Sequence, residues 1–311
     1  MLRSMPLSDA KILVTGPAGQ IAFPLVETLV GDNEVWGIAR FGDDAARQRV
    51  EALGVTTRGI DIGSGDFGDL PTDFTHVLHL AASMAPGLDY DGALRVNAEG
   101  TGLLLQHCRA AKAVLVMSTH SVYKPQDDPW HVFVETDPVG DCNSQHAATY
   151  SVSKLGEEAV ARYCARAFDL PVIIARMNAA YGPNGGLPAY HLDAVVTGRS
   201  VTTRWDPCLY SPIYQDDIND QTESLLAAAS VPATVVNWAG DEPVSVQEWA
   251  AYAADLGGTK AEVVVTELPN TLRGSVADNT RRLSITGPCR VGWKEGFRRT
   301  YAARPGQEVP A

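Results

Sequence analysis

The sequence lacks any uninterrupted apolar run long enough to span a bilayer, and no signal-peptide pattern precedes the first predicted strand. Basic residues are also scarce: 25 Lys and Arg stand against 37 Asp and Glu, for a formal net charge of −12. Nucleic acids and anionic membranes both require a basic surface. We therefore expect neither as a partner.

Cysteines are few and scattered. The five of them form no Cys-x-x-Cys pair, which predicts no metal site and suits the reducing cytoplasm. No internal repeat, low-complexity tract or flexible linker interrupts the 311 residues. With 45% apolar and 20% charged residues, such a chain can bury one large α/β core with a smaller lobe added.

Short apolar segments alternate with helical patterns through the first 180 residues. The predicted strands are Lys11–Thr15, Val35–Ala39, Val55–Ile60, His76–Leu80, Ala113–Met117 and Val172–Ala175. The predicted helices are Gln20–Val30, Asp43–Leu53, Leu94–Ala111 and Tyr150–Phe168, followed later by Asp217–Ala229 and Val246–Leu256. This alternation predicts a doubly wound parallel sheet with its ligand at the carboxyl ends of the strands.

A glycine-rich turn, Thr15-Gly-Pro-Ala-Gly-Gln-Ile-Ala22, joins the first predicted strand to the first helix. Gly16 and Gly19 allow a tight turn and let backbone N–H groups approach a pyrophosphate at a helix N-terminus. The turn therefore indicates a dinucleotide site. An ordinary strand-to-helix connection is the alternative.

Tyr150 and Lys154 are four residues apart, which places both side chains on one face of a helix. A phenol has a pKa near ~10, and an adjacent ammonium favours the phenolate. The spacing thus predicts a lowered pKa for Tyr150, suited to acid–base catalysis. Taken alone, it is also common on half-exposed helices.

Three segments follow one another along the chain: the glycine turn, Ser118-Thr-His-Ser-Val-Tyr123, and the helix starting at Tyr150. Together they resemble an extended short-chain dehydrogenase/reductase of the NAD(P)-dependent epimerase/dehydratase family, although Ala22 replaces the last glycine of that family's turn. The resemblance covers about residues 10 to 240. It implies a Rossmann-type α/β fold, with a dinucleotide-binding domain at 1–176 that carries the catalytic residues. It also implies a mainly substrate-binding lobe at 177–311, some segments of which return to the core.

The resemblance also implies catalytic roles. Tyr150 moves the proton on the substrate oxygen, Thr119 holds that oxygen, and Lys154 tunes Tyr150 while binding the nicotinamide ribose. Ser118 is the alternative to Thr119 as a substrate contact. His120 is expected to form part of the substrate pocket wall.

The expected cofactor contacts follow from the same resemblance. The turn binds the pyrophosphate, an acidic residue after the third strand contacts adenine, and a small-residue segment lies under the cofactor. An asparagine early in the next helix completes the set. The candidate cofactor-binding residues are Gly16, Gly19, Gln20, Ile21, Arg40, Asp61, Ile62, Leu80, Ala81, Ala82 and Asn97, together with Tyr150 and Lys154.

The end of the second strand bears on cofactor choice. NAD-selective folds place a carboxylate there, whereas NADP-selective folds use an Arg for the 2′-phosphate. Ala39 occupies the acidic position and Arg40 follows it. This pattern favours NADP over NAD, the alternative being a solvated Arg40 or one stacked on the adenine of NAD.

The C-terminal half resembles the family more faintly. Arg176-Met-Asn-Ala-Ala-Tyr-Gly-Pro183 matches a family segment and suggests Asn178 as a substrate contact. Tyr210 stands where the family usually has an arginine that clamps a nucleotide diphosphate, and it is also predicted to contact substrate. Arg199 and Arg204 are close enough in sequence to replace that arginine.

The function favoured by these features is an NAD(P)-dependent oxidoreductase that reduces a carbonyl or oxidises an alcohol of a small molecule. The alternative is a nucleotide-sugar 4-epimerase with tightly bound NAD. Sugar 4,6-dehydratases of the family carry Asp-Glu where this chain has His120-Ser121, which argues against dehydration. A nucleotide-sensing regulator on the same fold would have no need of the Thr-Tyr-Lys triad.

Family members often form homodimers through two helices. The equivalent helices here, Leu94–Ala111 and Tyr150–Phe168, offer Leu103, Leu104, Val160 and Tyr163. We therefore expect a homodimer. Burial of these same residues in the core of the domain is the alternative.

Overall fold

The computed structural model describes residues 7–84, 87–143 and 148–306. Its strands are β1 (Lys11–Thr15), β2 (Glu34–Ala39), β3 (Thr56–Gly59), β4 (His76–His79), β5 (Ala113–Thr119), β6 (Val132–Phe133), β7 (Val172–Met177), β8 (Ala180–Tyr181), β9 (Val201–Thr203), β10 (Leu209–Tyr210), β11 (Ile213–Tyr214), β12 (Thr234–Trp238), β13 (Val244–Ser245), β14 (Val263–Val265) and β15 (Gly274–Ala277). Its helices are α1 (Ala22–Leu29), α2 (Asp44–Glu51), α3 (Tyr90–Leu94), α4 (Gly100–His107), α5 (Tyr150–Phe168), α6 (Leu187–Val196), α7 (Gln215–Ala227), α8 (Val246–Gly257), α9 (Thr280–Thr286) and α10 (Trp293–Ala302).

A seven-stranded parallel sheet forms the centre of the fold, in the order β12-β7-β5-β4-β1-β2-β3. The predicted doubly wound Rossmann-type sheet is therefore confirmed. The chain runs outward from β1 through β2 to β3 and then returns to place β4 on the other side of β1. This reversal opens a crevice at the carboxyl ends of β1 and β4, where such folds bind ligands.

Helix α5 has the predicted bounds, Tyr150–Phe168. It ends at Asp169, whose φ of 51° places it in the left-handed conformation common after helices, and Pro171 follows two residues later. The buried face of α5 is partly polar, since Ser153, Lys154 and Glu157 all lie on it. A helix buried through charged groups must satisfy them within the protein.

The predicted helix Leu94–Ala111 is present as three consecutive pieces. Helix α3 ends at Leu94, a π-helical turn spans Arg95–Glu99, and α4 continues from Gly100 to His107. π-turns inside helices occur frequently at functional sites. The turn here contains Asn97, one of the candidate cofactor-binding residues.

The chain divides into two compact units. Unit 1 consists of residues 1–122, 144–176 and 219–236, and unit 2 of residues 123–143, 177–218 and 237–311. One boundary falls between Arg176 and Met177, and the segment 219–236 returns to unit 1. The segment 123–143 was expected in the first domain but belongs to unit 2. Its strand β6 pairs with β15, and the Tyr123 phenol donates to Asn237 Oδ1 at 2.6 Å.

Each unit has its own apolar core. In unit 1 it includes Leu13, Val77, Val114 and Ile174 from four neighbouring strands of the sheet. In unit 2 it is built around Trp249, which packs with residues of α6, α8 and α10. Within the described ranges, no helix combines the length and apolarity that crossing a membrane requires.

Candidate functional site

The glycine turn leaves the end of β1 with a geometry that depends on glycine. Gly16 has a φ of 66°, and a Cβ built on it would lie 3.3 Å from the Ala81 Cα. A Cβ on Gly19 would lie 3.1 Å from the Gly16 carbonyl oxygen, which accepts from the Gly19 N–H at 2.9 Å. The missing side chains leave backbone exposed for a close ligand, so the turn fits a dinucleotide pyrophosphate.

Gln20 and Ile21 complete the approach to α1. Ile21 is the N-cap residue and contributes no side-chain cap to the first turn of the helix. The first N–H groups of a helix have no partner within the helix and attract anions. Gln20 and Ile21 thus lie at the N-terminus of α1, and their contact with a pyrophosphate stays a prediction.

The segment after β4 lies against this turn. The backbone N–H groups of Leu80 and Ala81 donate to the Thr15 hydroxyl at 3.0 and 2.9 Å. Leu80 is buried and Ala82 is exposed. The structure thus brings the predicted small-residue segment beside Gly16 at the sheet reversal.

Asp61 and Ile62 follow β3. The Asp61 carboxylate accepts from the Gly63 N–H at 3.0 Å and caps a short 3₁₀ turn that begins at Ile62. Its side chain is 39% exposed, so it remains accessible to an adenine amine. Ile62 is buried in the core, which leaves it less accessible to a ligand.

Asn97 is buried, and its amide is fully engaged within unit 1. It accepts from the Ser83 N–H at 2.7 Å and donates to the Ser83 carbonyl at 3.0 Å and to the Ser153 hydroxyl at 2.9 Å. These bonds fix the segment after β4 to helix α5. They assign Asn97 a positioning role and do not support the direct cofactor contact expected from sequence.

Thr119 and Tyr150 meet at the end of β5. The Thr119 hydroxyl is hydrogen-bonded to the Tyr150 phenol, and it accepts from the Ser121 N–H at 3.2 Å. Tyr150 is the first residue of α5, and Lys154 lies one turn later. The structure therefore brings the three candidate catalytic residues together in unit 1.

The pKa of Tyr150 lies above its ordinary value. Burial raises it most; the charge of Lys154 lowers it, the charge of Glu157 raises it, and the bond with Thr119 lowers it. The prediction of a lowered pKa was therefore wrong for this arrangement. Burial and a nearby carboxylate, neither of which the four-residue spacing reveals, outweigh the ammonium.

Lys154 is almost completely buried. Its ammonium donates to the Met117 carbonyl oxygen at 2.7 Å and forms an ion pair with Glu157, three residues further along α5. Sequence reasoning missed Glu157, although the i, i+3 spacing from Lys154 was the available signal.

Ser118 does not have the role expected of it. Its side chain is 2% exposed, and its hydroxyl donates to Glu158 Oε1 at 2.6 Å. Glu158 in turn accepts two bonds at 2.8 Å from the Arg176 guanidinium. Ser118 thus belongs to a buried hydrogen-bond network that joins β5, α5 and β7. Its hydroxyl is bonded to Glu158, which does not support the expected contact with substrate.

His120 is also buried, at 3% exposure. Burial, together with the positive charge of Arg176, lowers the pKa of His120 to about 3. The ring is therefore neutral near pH 7 and is not a proton donor there.

The two predicted substrate residues of unit 2 are both held by neighbours. Asn178 donates to the Ser275 carbonyl at 2.6 Å and accepts from the N–H groups of Ala179 and Ser211 at 2.8 and 3.1 Å. These bonds join Asn178 to β15 and to the residue after β10, which gives Asn178 a structural role in place of the expected substrate contact.

Tyr210 stacks on Trp249, with 5.5 Å between ring centroids, and its phenol oxygen accepts from Arg204 Nη2 at 2.8 Å. Burial raises the pKa of Tyr210 well above its ordinary value, so the phenol stays neutral. Of the two arginines considered as replacements, Arg204 is therefore the one fixed beside Tyr210. Arg199 instead donates to the Thr197 hydroxyl at 3.0 Å.

Comparison with known proteins identifies the family. The model of the NAD dependent epimerase/dehydratase family matches residues 12–203. The chain belongs to this family. No curated protein matches the sequence.

Several solved structures of epimerases share the fold. The UDP-glucuronic acid 4-epimerase from Bacillus cereus, in complex with UDP-glucuronic acid and NAD, is 23% identical, with a TM-score of 0.80 over 94% of this chain and 98% of that one. The UDP-N-acetylglucosamine 4-epimerase from Methanobrevibacter ruminantium, in complex with UDP-N-acetylmuramic acid, is 20% identical, with a TM-score of 0.81 over 94% and 97%. The UDP-glucose 4-epimerase from Thermotoga maritima, with UDP-glucose, is 20% identical, with a TM-score of 0.79 over 93% and 97%.

As a member of the NAD dependent epimerase/dehydratase family, the protein is an enzyme of the extended short-chain dehydrogenase/reductase type. The relatives do not support the sequence expectation of NADP, since the Bacillus cereus enzyme was solved with NAD. Arg40, on which that expectation rested, has an exposed side chain directly after β2.

Proposed function

We propose that this protein is a UDP-sugar 4-epimerase that retains NAD between turnovers. The observation that carries the proposal is the Thr119–Tyr150 hydrogen bond with Lys154 one helical turn away. It provides one acid–base group, which is what an epimerase needs to remove a proton from a hydroxyl and return it. The similarity in fold to three 4-epimerases, over more than nine-tenths of the chain, supports the choice.

In this proposal, Tyr150 as phenolate accepts the proton of the sugar C4 hydroxyl while Thr119 donates a hydrogen bond to the same oxygen. Lys154 stabilises the phenolate electrostatically. NAD, when bound, would accept the hydride from C4 and return it to the opposite face of the sugar. Tyr150 then gives its proton back to the C4 oxygen.

The chain's own residues fit such a cofactor at several points. In this proposal the glycines would support the pyrophosphate, the Asp61 carboxylate would accept from the adenine amine, and Lys154 would bind the nicotinamide ribose. The residues proposed to hold NAD are Gly16, Gly19, Gln20, Ile21, Asp61, Leu80, Ala81, Ala82 and Lys154. Arg40 is proposed to contact the adenosine end without selecting for NADP.

The proposal is tested on the purified protein without added cofactor. We expect acid-denatured protein to release about one NAD per chain, and native protein to interconvert a UDP-sugar with its C4 epimer. UDP-glucose, UDP-glucuronic acid and UDP-N-acetylglucosamine are the substrates to try, with product ratios followed by NMR. Release of NADP, or turnover that consumes added NADPH stoichiometrically, would contradict the proposal and favour a carbonyl reductase.

That reductase is the second candidate, and the substitution at Tyr210 favours it. A phenol in place of the family's arginine suits a less charged substrate. However, the bond from Arg204 to Tyr210 keeps a guanidinium beside this position, which is compatible with a nucleotide diphosphate. Localisation in the cytoplasm remains a prediction from the scattered cysteines.

We also propose that the protein is a homodimer, formed through α4 and α5. Leu103 is 39% exposed and Tyr163 is 67% exposed on these helices, whereas Leu104 is completely buried in the core of unit 1 and cannot contribute. Val160 is partly buried against the same core. Exposed apolar residues on adjacent helices are typical of an interface.

Light scattering at micromolar concentration should give twice the mass of one chain. Tyr163→Asp combined with Leu103→Glu should give a monomer with unchanged circular dichroism. The control Leu283→Glu removes a leucine of similar exposure, 41%, from α9 and should leave the mass unchanged. A parent protein with the mass of one chain would refute the dimer.

A further inference from the structure

Helix α5 buries a carboxylate that the catalytic scheme above does not use. Glu157 has 0% side-chain exposure and lies one turn after Lys154. In the part of the chain that the structure describes, its ion-pair contacts are with Lys154 and with His79, whose Nε2 lies 3.3 Å from Glu157 Oε1. Burying a carboxylate costs folding free energy unless a partner of opposite charge or hydrogen-bond donors compensate for the lost water.

Two hydroxyl groups, those of Thr15 and Thr101, hold the His79 ring by hydrogen bonds. The Thr15 hydroxyl already accepts from two N–H groups, so its own proton goes to His79 Nδ1 at 2.9 Å. The Thr101 hydroxyl donates to the Asn97 carbonyl at 2.6 Å and therefore accepts from His79 Nε2 at 2.7 Å. In this network Nδ1 accepts from Thr15, and the hydrogen bond from Nε2 goes to Thr101.

Lys154 is the buried cation that forms an ion pair with Glu157. The other charges near α5 are balanced or exposed: Glu158 is held by Arg176, and Arg95 and Glu99 of the π-turn have exposed side chains. His120 is neutral near pH 7 because of its low pKa.

We propose that Glu157 is a positioning residue. By forming an ion pair with Lys154, it weakens the electrostatic effect of the Lys154 ammonium on Tyr150. By holding the ammonium on the side of the Met117 carbonyl, Glu157 lowers the fraction of Tyr150 that is present as the phenolate required by the proposed reaction. The inference rests on the proposed acid–base role of Tyr150, but not on the identity of the substrate.

The electrostatic effect of Glu157 on Tyr150 agrees with this arrangement of the ion pair. The negative charge of Glu157 raises the pKa of Tyr150, in the same direction as burial and opposite to Lys154. Removing that charge without changing the shape of the side chain should make the phenolate easier to form. Glu157→Gln makes this change.

The test is an NMR titration of protein labelled at tyrosine Cζ, with the Tyr150 signal identified by its absence in Tyr150→Phe. In Glu157→Gln we expect the Tyr150 midpoint at lower pH, with a phenolate fraction about threefold or more above the parent on the rising limb. Glu99→Gln removes an equal but exposed charge and should leave the midpoint in place. Glu157→Ala provides a second variant should Glu157→Gln fold poorly.

An unchanged Tyr150 midpoint in both Glu157 variants would overturn the inference and leave Glu157 a structural counter-ion, even if thermal stability fell. The titration needs no substrate, so it stands apart from the proposed epimerase activity. If that activity is also found, the acidic limb of its pH–rate profile should move to lower pH in Glu157→Gln, while the profile of Glu99→Gln should match the parent.

Discussion

Tyr150→Phe is expected to lower turnover by about 10²–10⁴-fold, the usual contribution of a positioned acid–base group. The substitution removes one oxygen and keeps the ring, so the fold and NAD content should match the parent. The effect should appear in kcat, measured as the conversion of a UDP-sugar to its epimer. The loss is expected because Tyr150, bonded to Thr119 and one turn from Lys154, is the group proposed to exchange the C4 hydroxyl proton.

Neighbouring substitutions make the test specific. Thr119→Ser keeps the hydroxyl and should retain much of the activity, whereas Thr119→Val should lose more. Lys154→Met should reduce turnover and also stability, because it leaves Glu157 buried without its cation. The double variant Lys154→Met with Glu157→Gln should recover stability but not turnover. Near-parental turnover in Tyr150→Phe would remove the basis for the proposed chemistry.

Gly16→Val should abolish measurable retention of NAD and weaken NAD⁺ binding by more than tenfold, or about 1.4 kcal/mol, by calorimetry. A Cβ at this position would crowd the Ala81 backbone at 3.3 Å, and valine would occupy the space through which the turn approaches the pyrophosphate. The φ of 66° adds about 1–3 kcal/mol of backbone strain for a non-glycine residue.

The control variant Gly54→Val separates the effect of backbone strain on stability from the effect of the side chain on NAD⁺ binding. Gly54 also has a positive φ, 95°, but a Cβ on it would meet nothing within 4 Å. This control should lose stability to a comparable extent and still bind NAD⁺ like the parent. If both variants bound equally well, the pyrophosphate would have to be placed elsewhere.

The sequence predicted six of the seven strands of the central sheet and missed β12 (Thr234–Trp238). Most of the six are continuous apolar runs, as strands buried on both faces are. Lys11–Thr15 and the helix Tyr150–Phe168 have the predicted bounds. The helix around Asn97 was predicted as continuous, since a π-turn has no composition signal of its own. Its position depends on hydrogen bonds to Ser83 and Ser153, which are distant in sequence.

The site shows a similar division. The proximity of Thr119, Tyr150 and Lys154 could be predicted from motif and spacing, whereas their catalytic roles stay a prediction. The roles of Ser118 and Asn178 could not, because their hydrogen-bond partners come from other elements of the fold. The raised pKa of Tyr150 was likewise unpredictable from local sequence, since burial is its main cause.

The bond between Arg204 and Tyr210 affects how such chains are sorted into subfamilies. A pattern that scores only position 210 records a lost arginine and implies a different class of substrate. In this chain the guanidinium of Arg204, six residues earlier in sequence, donates to the Tyr210 phenol oxygen. Sorting by the charge held at a point in space, and not by the letter in an alignment column, would keep this chain among sequences that carry the arginine directly.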